Sequence, residues 1–496
     1  MTFSFTVTDR DTDGNQLIIQ TSAVDVSLPA GYTNTVISNV SFTSNGSGGY
    51  VWTGTIATGA FDNESILNQT IVISISDGTY TTEKEFTISH KPSVIIPFAD
   101  NTHGIEVWKT DGSALGTEML NDANVTGDSV TFYSSPYRSG SQYFFSGDNG
   151  DGEIQPFVAT TNGEAKPLKD NISGGSYTSF MTFGEHVYFR TTGNSDDSIL
   201  WQTDGTSDGT VQVKTISSGE ITQFFNLNTA LCFFVNGKNG GADELWMSDG
   251  TTDGTTMVKG SLYYDYSATV SNDKLFFAAK AFDDTQIGLW VSDGTTIGTE
   301  RLKEFSVLPK YLIDVDGNLY FQIGYQTSDV DNNTVTHLDL WKTNGSAIGT
   351  VLVKEDSKFG LFNLKQMFVY ENRLCFVKDD VLWTSDGTEG GTVELKTLYT
   401  LPDYNQLRTP VKVVNNTIYF NIQHFSAPDV YRRIYAMQPS VNNDLIEVDT
   451  TRYDTLNFYN EPVDNNILYS TQDATNYYLW KHNIDDGPIL IKTTDK

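Results

Sequence analysis

Basic side chains are scarce. The chain carries 31 Lys and Arg against 62 Asp and Glu, a formal net charge of −31. Phosphate backbones and anionic lipid headgroups are held by clustered Lys and Arg, so this balance argues against nucleic acid and membrane surfaces as partners. It is compatible with calcium, and with solubility in salty surroundings. Long apolar runs are also missing: no stretch approaches the ~18 residues that would span a membrane as a helix. There are two cysteines, Cys232 and Cys375, which leaves no room for a disulfide framework. The six histidines show no metal-ligand spacing, and arginine is too sparse for an arginine-clustered active site. Helix formers are few. Thr, Ser, Asn, Asp, Gly and aromatics take their place, the composition of a secreted-type β protein.

What the chain does have is one stretch repeated many times. Residues 244–259 read ELWMSDGTTDGTTMVK. Related copies begin at Glu106 (EVWKTDGSALGTEML), Leu200 (LWQTDGTSDGTVQVK), Leu289 (LWVSDGTTIGTERLK), Leu340 (LWKTNGSAIGTVLVK) and Leu382 (LWTSDGTEGGTVELK). Degenerate copies place Ala159, Tyr435 and Trp480 at the Trp position. The nine markers, Trp108 to Trp480, are spaced 42 to 52 residues apart, a period that signals a solenoid, a propeller or an array. Each unit alternates apolar and polar residues with period two, which predicts strands. Around Trp341 the pattern predicts strands over 310–315, 319–324, 338–343 and 350–354, with a long polar loop over 325–337. Four antiparallel strands per period, with Trp in the third, predict the blade of a β-propeller.

The recurring Asp-Gly-Thr is read as a turn. Asp accepts backbone N–H groups there and Gly supplies the positive φ. Asp111, Asp204, Asp249, Asp293 and Asp386 are therefore structural, and the Trp column is inter-blade core. Cys232 and Cys375 fall at the same point of their second strands, three repeats apart, which predicts two free buried thiols.

The unit resembles the ELWxxDGT repeat of large bacterial surface and secreted adhesins of the RTX type, over roughly residues 92–496. The resemblance implies a propeller in an extracellular or cell-surface setting and names no ligand.

Residues 1–91 lack the repeat. Short alternating strands separated by turn signals predict a β-sandwich here, with the boundary at His90-Lys91-Pro92. Asp9, Asp11 and Asp13 stand at alternate positions before Gly14, a spacing of oxygen ligands that suits calcium. The module also resembles the cadherin-like and immunoglobulin-like modules of bacterial adhesins, which implies calcium at its junction with a neighbouring domain. No leader is visible after Met1, and the chain is read as a monomeric internal piece of a longer protein. The propeller would then have eight four-stranded units and a first unit of three strands, giving either nine blades or an eight-bladed ring with a cap.

In such a blade the 1–2 and 3–4 turns share one face, while the 2–3 and 4–1 connections share the other. The second set varies in length and content, and variable insertions often mark a binding face. Its candidate ligand residues are Tyr263, Tyr264, Tyr266, Phe305, Tyr325, Phe362, Tyr399 and Tyr404, which suit sugar stacking or peptide capture. Asp148, Asp151, Asp329 and Asp331 are second-tier calcium ligands. The resulting expectation is a ligand-binding region of a large adhesin that takes a surface glycan, protein or peptide, with calcium, and performs no turnover. The alternatives are a propeller glycosidase or lyase using paired carboxylates, and a structural spacer or scaffold.

Overall fold

In the computed structural model, the described residues comprise the backbone of six strands between residues 2 and 90, and residues 93–496 apart from short stretches. The longest of those stretches are 131–135, 173–178, 329–333, 399–405 and 449–454. Chain contacts divide the protein into two compact units, Met1–Ser93 and Val94–Lys496. The first is a β-sandwich of two three-stranded antiparallel sheets. One has Gly49–Ala57 between Thr2–Thr8 and Val36–Ser44; the other has Leu67–Ser76 between Ile18–Val24 and Thr81–His90. The predicted calcium ligands Asp9, Asp11 and Asp13 lie outside the described residues.

The second unit is a β-propeller whose sheets follow chain order and pair antiparallel throughout. Its blades span 94–121, 137–167, 180–216, 219–262, 262–305, 310–354, 364–397, 406–447 and 455–495. Blade 1 has three strands (Val94–Asp100, Gly104–Thr110, Glu118–Asn121), equivalent to strands 2 to 4 of the others. Blades 4 and 5 share the single strand Thr256–Ser271, which is the fourth strand of one and the first of the next.

Nine hydrophobic cores lie one between each pair of neighbouring blades. Phe234, Leu245, Tyr264 and Phe277 fill the space between blades 4 and 5. Phe98 and Trp108 pack against Tyr459, Leu468 and Leu479 and so join blade 9 to blade 1. The ring is therefore closed, and the described residues form nine blades, two of them parts of one seven-stranded sheet. Second strands such as Ala230–Gly237 are buried on both faces because a neighbour covers each side. Each fully buried Phe or Leu contributes about 1.5–3 kcal/mol, so no blade is stable without its neighbours.

The repeat's conserved spacing has a local cause in each blade. In blade 4, Asp249 Oδ1 accepts Thr251 N at 2.9 Å and Thr251 Oγ1 at 2.7 Å, and Gly254 N donates to Thr251 Oγ1 at 2.9 Å. Ser248 Oγ and Thr255 Oγ1 meet at 2.7 Å across the turn, buried. Hydrogen bonds from Thr251 hold the Asp249 carboxyl below the usual carboxylate range, and the same holds at Asp204, Asp293 and Asp386 with their own threonines. Where a motif ends in lysine, that lysine can reach the next blade. Lys214 Nζ donates to Thr252 O and Thr255 O and lies 5.9 Å from the Trp246 ring centroid. Lys492, near the end of the chain, lies 5.5 Å from the Trp108 ring and repeats the contact across the ring closure.

Closure also needs something in place of the strand that blade 1 lacks. Val94–Asp100 is an edge strand, and Pro97 sits in it, a position where a sheet tolerates proline. Yet Val94, Ile95, Ile96, Phe98 and Ala99 are all at most 4% exposed. Tyr459 Oη donates to Pro97 O at 2.8 Å from blade 9. Tyr143 of blade 2 donates to Glu461 at 3.1 Å, and Arg138 approaches the same carboxylate at 3.8 Å. Burial holds the Glu461 carboxyl above its usual range. Blades 9 and 2 thus meet by a polar clamp where a first strand would otherwise stand.

One sequence-based expectation changes and another holds. The long polar loop predicted over 325–337 is instead a hairpin extension. Strand Asn318–Ser328 continues past Gly324 and pairs Tyr325 with His337 and Ser328 with Thr334. Thr and Val alternate there at a strand period, and Ser357–Phe359 adds a third strand alongside. Cys232 and Cys375 are free and buried, as expected.

Candidate functional site

The face built from 2–3 and 4–1 connections is best defined at blades 4 to 6. The shared strand Thr256–Ser271 passes through it and bends where Ser261 (φ 57) and Tyr266 (φ 56) occupy the left-handed region. Such residues cost about 1–3 kcal/mol each and persist only where neighbours hold them. Here the neighbours are identifiable. Asp243 accepts Tyr264 N at 2.7 Å and Gly237 N at 3.2 Å, tying the blade-4 loop to the bend. Phe282 N donates to Ser261 O at 2.8 Å, tying the blade-5 loop to it as well. Asn236 Nδ2 donates to Tyr266 Oη at 2.6 Å.

The bend, with its register slip between Tyr264 and Ala268, distributes three tyrosines differently. Tyr263 stays outside and stacks on Phe282, with centroids 4.8 Å apart at 19°; each residue is 42% exposed. Lys280 Nζ lies 5.8 Å from the Tyr263 ring. Tyr266 is 52% exposed. Tyr264 turns into the core, stacks on Phe234 at 3.7 Å and donates its hydroxyl to Gln223. On blade 6, Lys310 pairs with Asp265, and exposed Tyr311 is again at positive φ (55°).

A second group stands on the blade-6 hairpin. Tyr325 and His337 stack with centroids 4.4 Å apart at 3°. His337 Nε2 meets Thr327 Oγ1 at 2.9 Å, and Tyr325 Oη donates to Asp339 Oδ2 at 3.4 Å. Burial holds the Asp339 carboxyl above its usual range, and the nearby charge of Glu355 adds to this. A buried carboxyl beside a phenol is an arrangement suited to proton transfer.

Of the candidate ligand residues, the structure leaves Tyr263 and Tyr266 exposed and places Tyr325 on the hairpin. It places Tyr264 in the core, and Phe305 edge-on against Phe321 and Trp341 between blades 5 and 6. Phe362, Tyr399, Tyr404, Asp151, Asp329 and Asp331 lie outside the described residues. Asp148 accepts Gly150 N and Gly152 N and holds its own turn. Among the described residues, no group of three or more His, Cys, Asp or Glu is placed to hold a metal ion. Sequence reasoning missed Phe282, Lys280 and Asn236. Phe282 directly follows the apolar strand Lys274–Ala281, and that run was the one available signal.

No family model and no curated protein matches this sequence. The structure is similar to solved β-propellers. One is the propeller domain of the Trilobed protease from Pyrococcus furiosus (14% identity, 64% of this chain and 97% of that chain, TM-score 0.35). Another is puromycin hydrolase (10%, 79% and 62%, TM-score 0.36). A third is an oligogalacturonate lyase in complex with manganese (11%, 82% and 99%, TM-score 0.37). The chain spans 62% of the puromycin hydrolase. Likeness at this identity bears on the fold alone. The protein is an all-β chain with a propeller, and the resemblance to adhesin repeats does not become a family assignment. The expectation of no turnover is corrected here. The solved structures it is similar to include a puromycin hydrolase and an oligogalacturonate lyase.

Proposed function

We propose that the propeller takes a glycan on its 2–3 and 4–1 face, as the ligand-binding region of a larger extracellular or cell-surface adhesin. The observation that carries this reading is the exposed Tyr263–Phe282 stack, held by the Phe282–Ser261 hydrogen bond beside Lys280 and Asn236. An aromatic pair of this kind offers a flat apolar platform to the C–H face of a sugar ring, and the flanking amide and ammonium supply directional donors. Calcium enters the reading through Asp9, Asp11 and Asp13.

A second reading, glycan cleavage by a glycosidase or lyase, is favoured by the buried Asp339 carboxyl with Tyr325 on the same face. One experiment addresses both. The purified chain is screened on glycan and peptide arrays with calcium and with EDTA, and every hit is incubated to look for new reducing ends or unsaturated products. Binding that falls at least tenfold in Tyr263→Ala and Phe282→Ala supports the platform. Cleavage lost in Asp339→Asn supports the second reading. A peptide hit indifferent to both aromatic substitutions would overturn the glycan reading.

A further inference from the structure

We propose that the sugar taken on the Tyr263–Phe282 platform carries a carboxylate, as a uronic or sialic acid does, and that Lys280 binds it. This inference rests on the glycan reading above and names the substrate class at the same site. Three side chains share one face of the sheet there. Tyr263 and Lys280 are cross-strand partners, and Phe282 stands two residues beyond Lys280. Lys280 Nζ lies 5.8 Å from the Tyr263 ring centroid, and Phe282 stacks on the same ring. A sugar ring seated on such a surface points a carboxylate outward from its edge, where an ammonium at the margin can meet it.

Lys280 belongs to this site and not to the repeat. It stands three residues beyond Phe277, the partner of Trp290. In the other blades where this position is described, it holds Ala99, Ser146, Thr192, Asn236, Gly324, Gln423 or Gln472, all uncharged. A need common to every blade therefore does not explain the charge. Asn236, the equivalent residue of blade 4, donates to Tyr266 Oη at 2.6 Å, so two nitrogen donors attend the one bent strand.

The charge on Lys280 is also unmet. With 62 acidic residues against 31 basic ones, an ammonium readily finds a carboxylate, as Lys238, Lys310 and Lys396 do. Among the described residues no carboxylate pairs with Lys280, which is half-buried and touches the Tyr263 ring instead. Asp265, the one carboxylate on the bent strand, is taken by Lys310. A single ammonium matches a single carboxylate. The net charge of −31 repels densely sulfated polymers, which need clustered Lys and Arg.

The test is calorimetric titration of the full chain with glucuronate-bearing and sialate-bearing oligosaccharides. Each is paired with its carboxyl-reduced neutral twin and with a twin carrying one sulfate ester in place of the carboxylate. The wild-type chain should bind at least one of the two acids about five- to tenfold more tightly than its neutral twin, the scale of one charge-assisted hydrogen bond. In Lys280→Gln that ratio should fall to within about twofold. Should the variant not fold, the wild-type ratio gives a second readout: it should shrink as salt rises from about 0.01 M to 1 M. Equal binding of acid and neutral twins, both lost in Tyr263→Ala, overturns the carboxylate inference and leaves the glycan reading standing. A preference unchanged in Lys280→Gln, one indifferent to salt, or tighter binding of the sulfate ester also overturns it. Wild-type chain that binds no oligosaccharide at all overturns both.

Discussion

Adjacent glycines in the blade-7 turn offer a sharp test of why the repeat keeps its second Gly-Thr. A Cβ built on Gly391 would lie 2.0 Å from Asp386 Oδ1, whereas a Cβ on Gly390 meets nothing within 4 Å. Asp386 cannot give way freely, because Oδ1 already accepts Thr388 N at 2.9 Å and Thr388 Oγ1 at 2.7 Å. Thr388 Oγ1 in turn accepts Gly391 N at 3.0 Å. Gly391→Ala is therefore an overpacking substitution, with an expected cost of about 1–3 kcal/mol. Gly390→Ala, one residue earlier on an exposed tip, should stay within about 0.5 kcal/mol of wild type. The assay is equilibrium denaturation followed by tryptophan fluorescence, with coincident circular dichroism to establish a single transition. The double variant decides the mechanism. In an Asp386→Ala background the obstacle is gone, so adding Gly391→Ala should cost under about 0.5 kcal/mol. Equal effects at Gly390 and Gly391, or additive effects of Asp386→Ala and Gly391→Ala, would refute the steric account.

Three further predictions concern other parts of the ring. Glu106 is buried and accepts Ser129 Oγ at 2.5 Å, Ser129 N at 3.1 Å and Ala123 N at 3.1 Å; burial outweighs these and raises its pKa to about 7. A folded pKa above the unfolded value means the folded state holds the proton more tightly. That stability is complete at low pH and is lost as pH rises toward and through about 7. The unfolding midpoint should fall between pH 5 and pH 8, and Glu106→Gln should flatten that slope; an unchanged slope would count against the assignment. Tyr143→Phe removes the hydroxyl that joins blade 2 to Glu461 of blade 9, at a cost of about 1 kcal/mol. Amide exchange should accelerate in Val94–Asp100 and not in Thr256–Ser271, and equal acceleration would contradict a local clamp. Burial pushes the Cys232 thiol up to about 12 and the Cys375 thiol up to about 11. A thiol reagent at neutral pH should label neither in the native protein and both after unfolding.

The candidate site was only partly legible in the sequence. Tyr263, Tyr264 and Tyr266 stood out as a cluster, but one pattern of letters cannot say that Tyr264 turns inward. That outcome depends on Asp243 accepting Tyr264 N and on Phe234 lying 3.7 Å away, contacts made across 21 and 30 residues of chain. Phe282 escaped notice because it becomes a platform only when Ser261, on another strand, takes its N–H.

The strand order within a blade and the turn chemistry were set by the sequence alone, because each depends on contacts within one period. Asp249 and Thr251 are two residues apart, and Ser248 and Thr255 are seven apart. Local pairing of that kind repeats wherever the letters repeat. How the ring closes was decided only in three dimensions. The contacts that close it run from Tyr143 to Glu461, from Tyr459 to Pro97 and from Thr494 to Ala99, across 318, 362 and 395 residues. None of the three belongs to the repeat. Among the described residues blade 1 has no first strand, and blade 9 supplies hydrogen-bonding partners to the backbone of its edge strand.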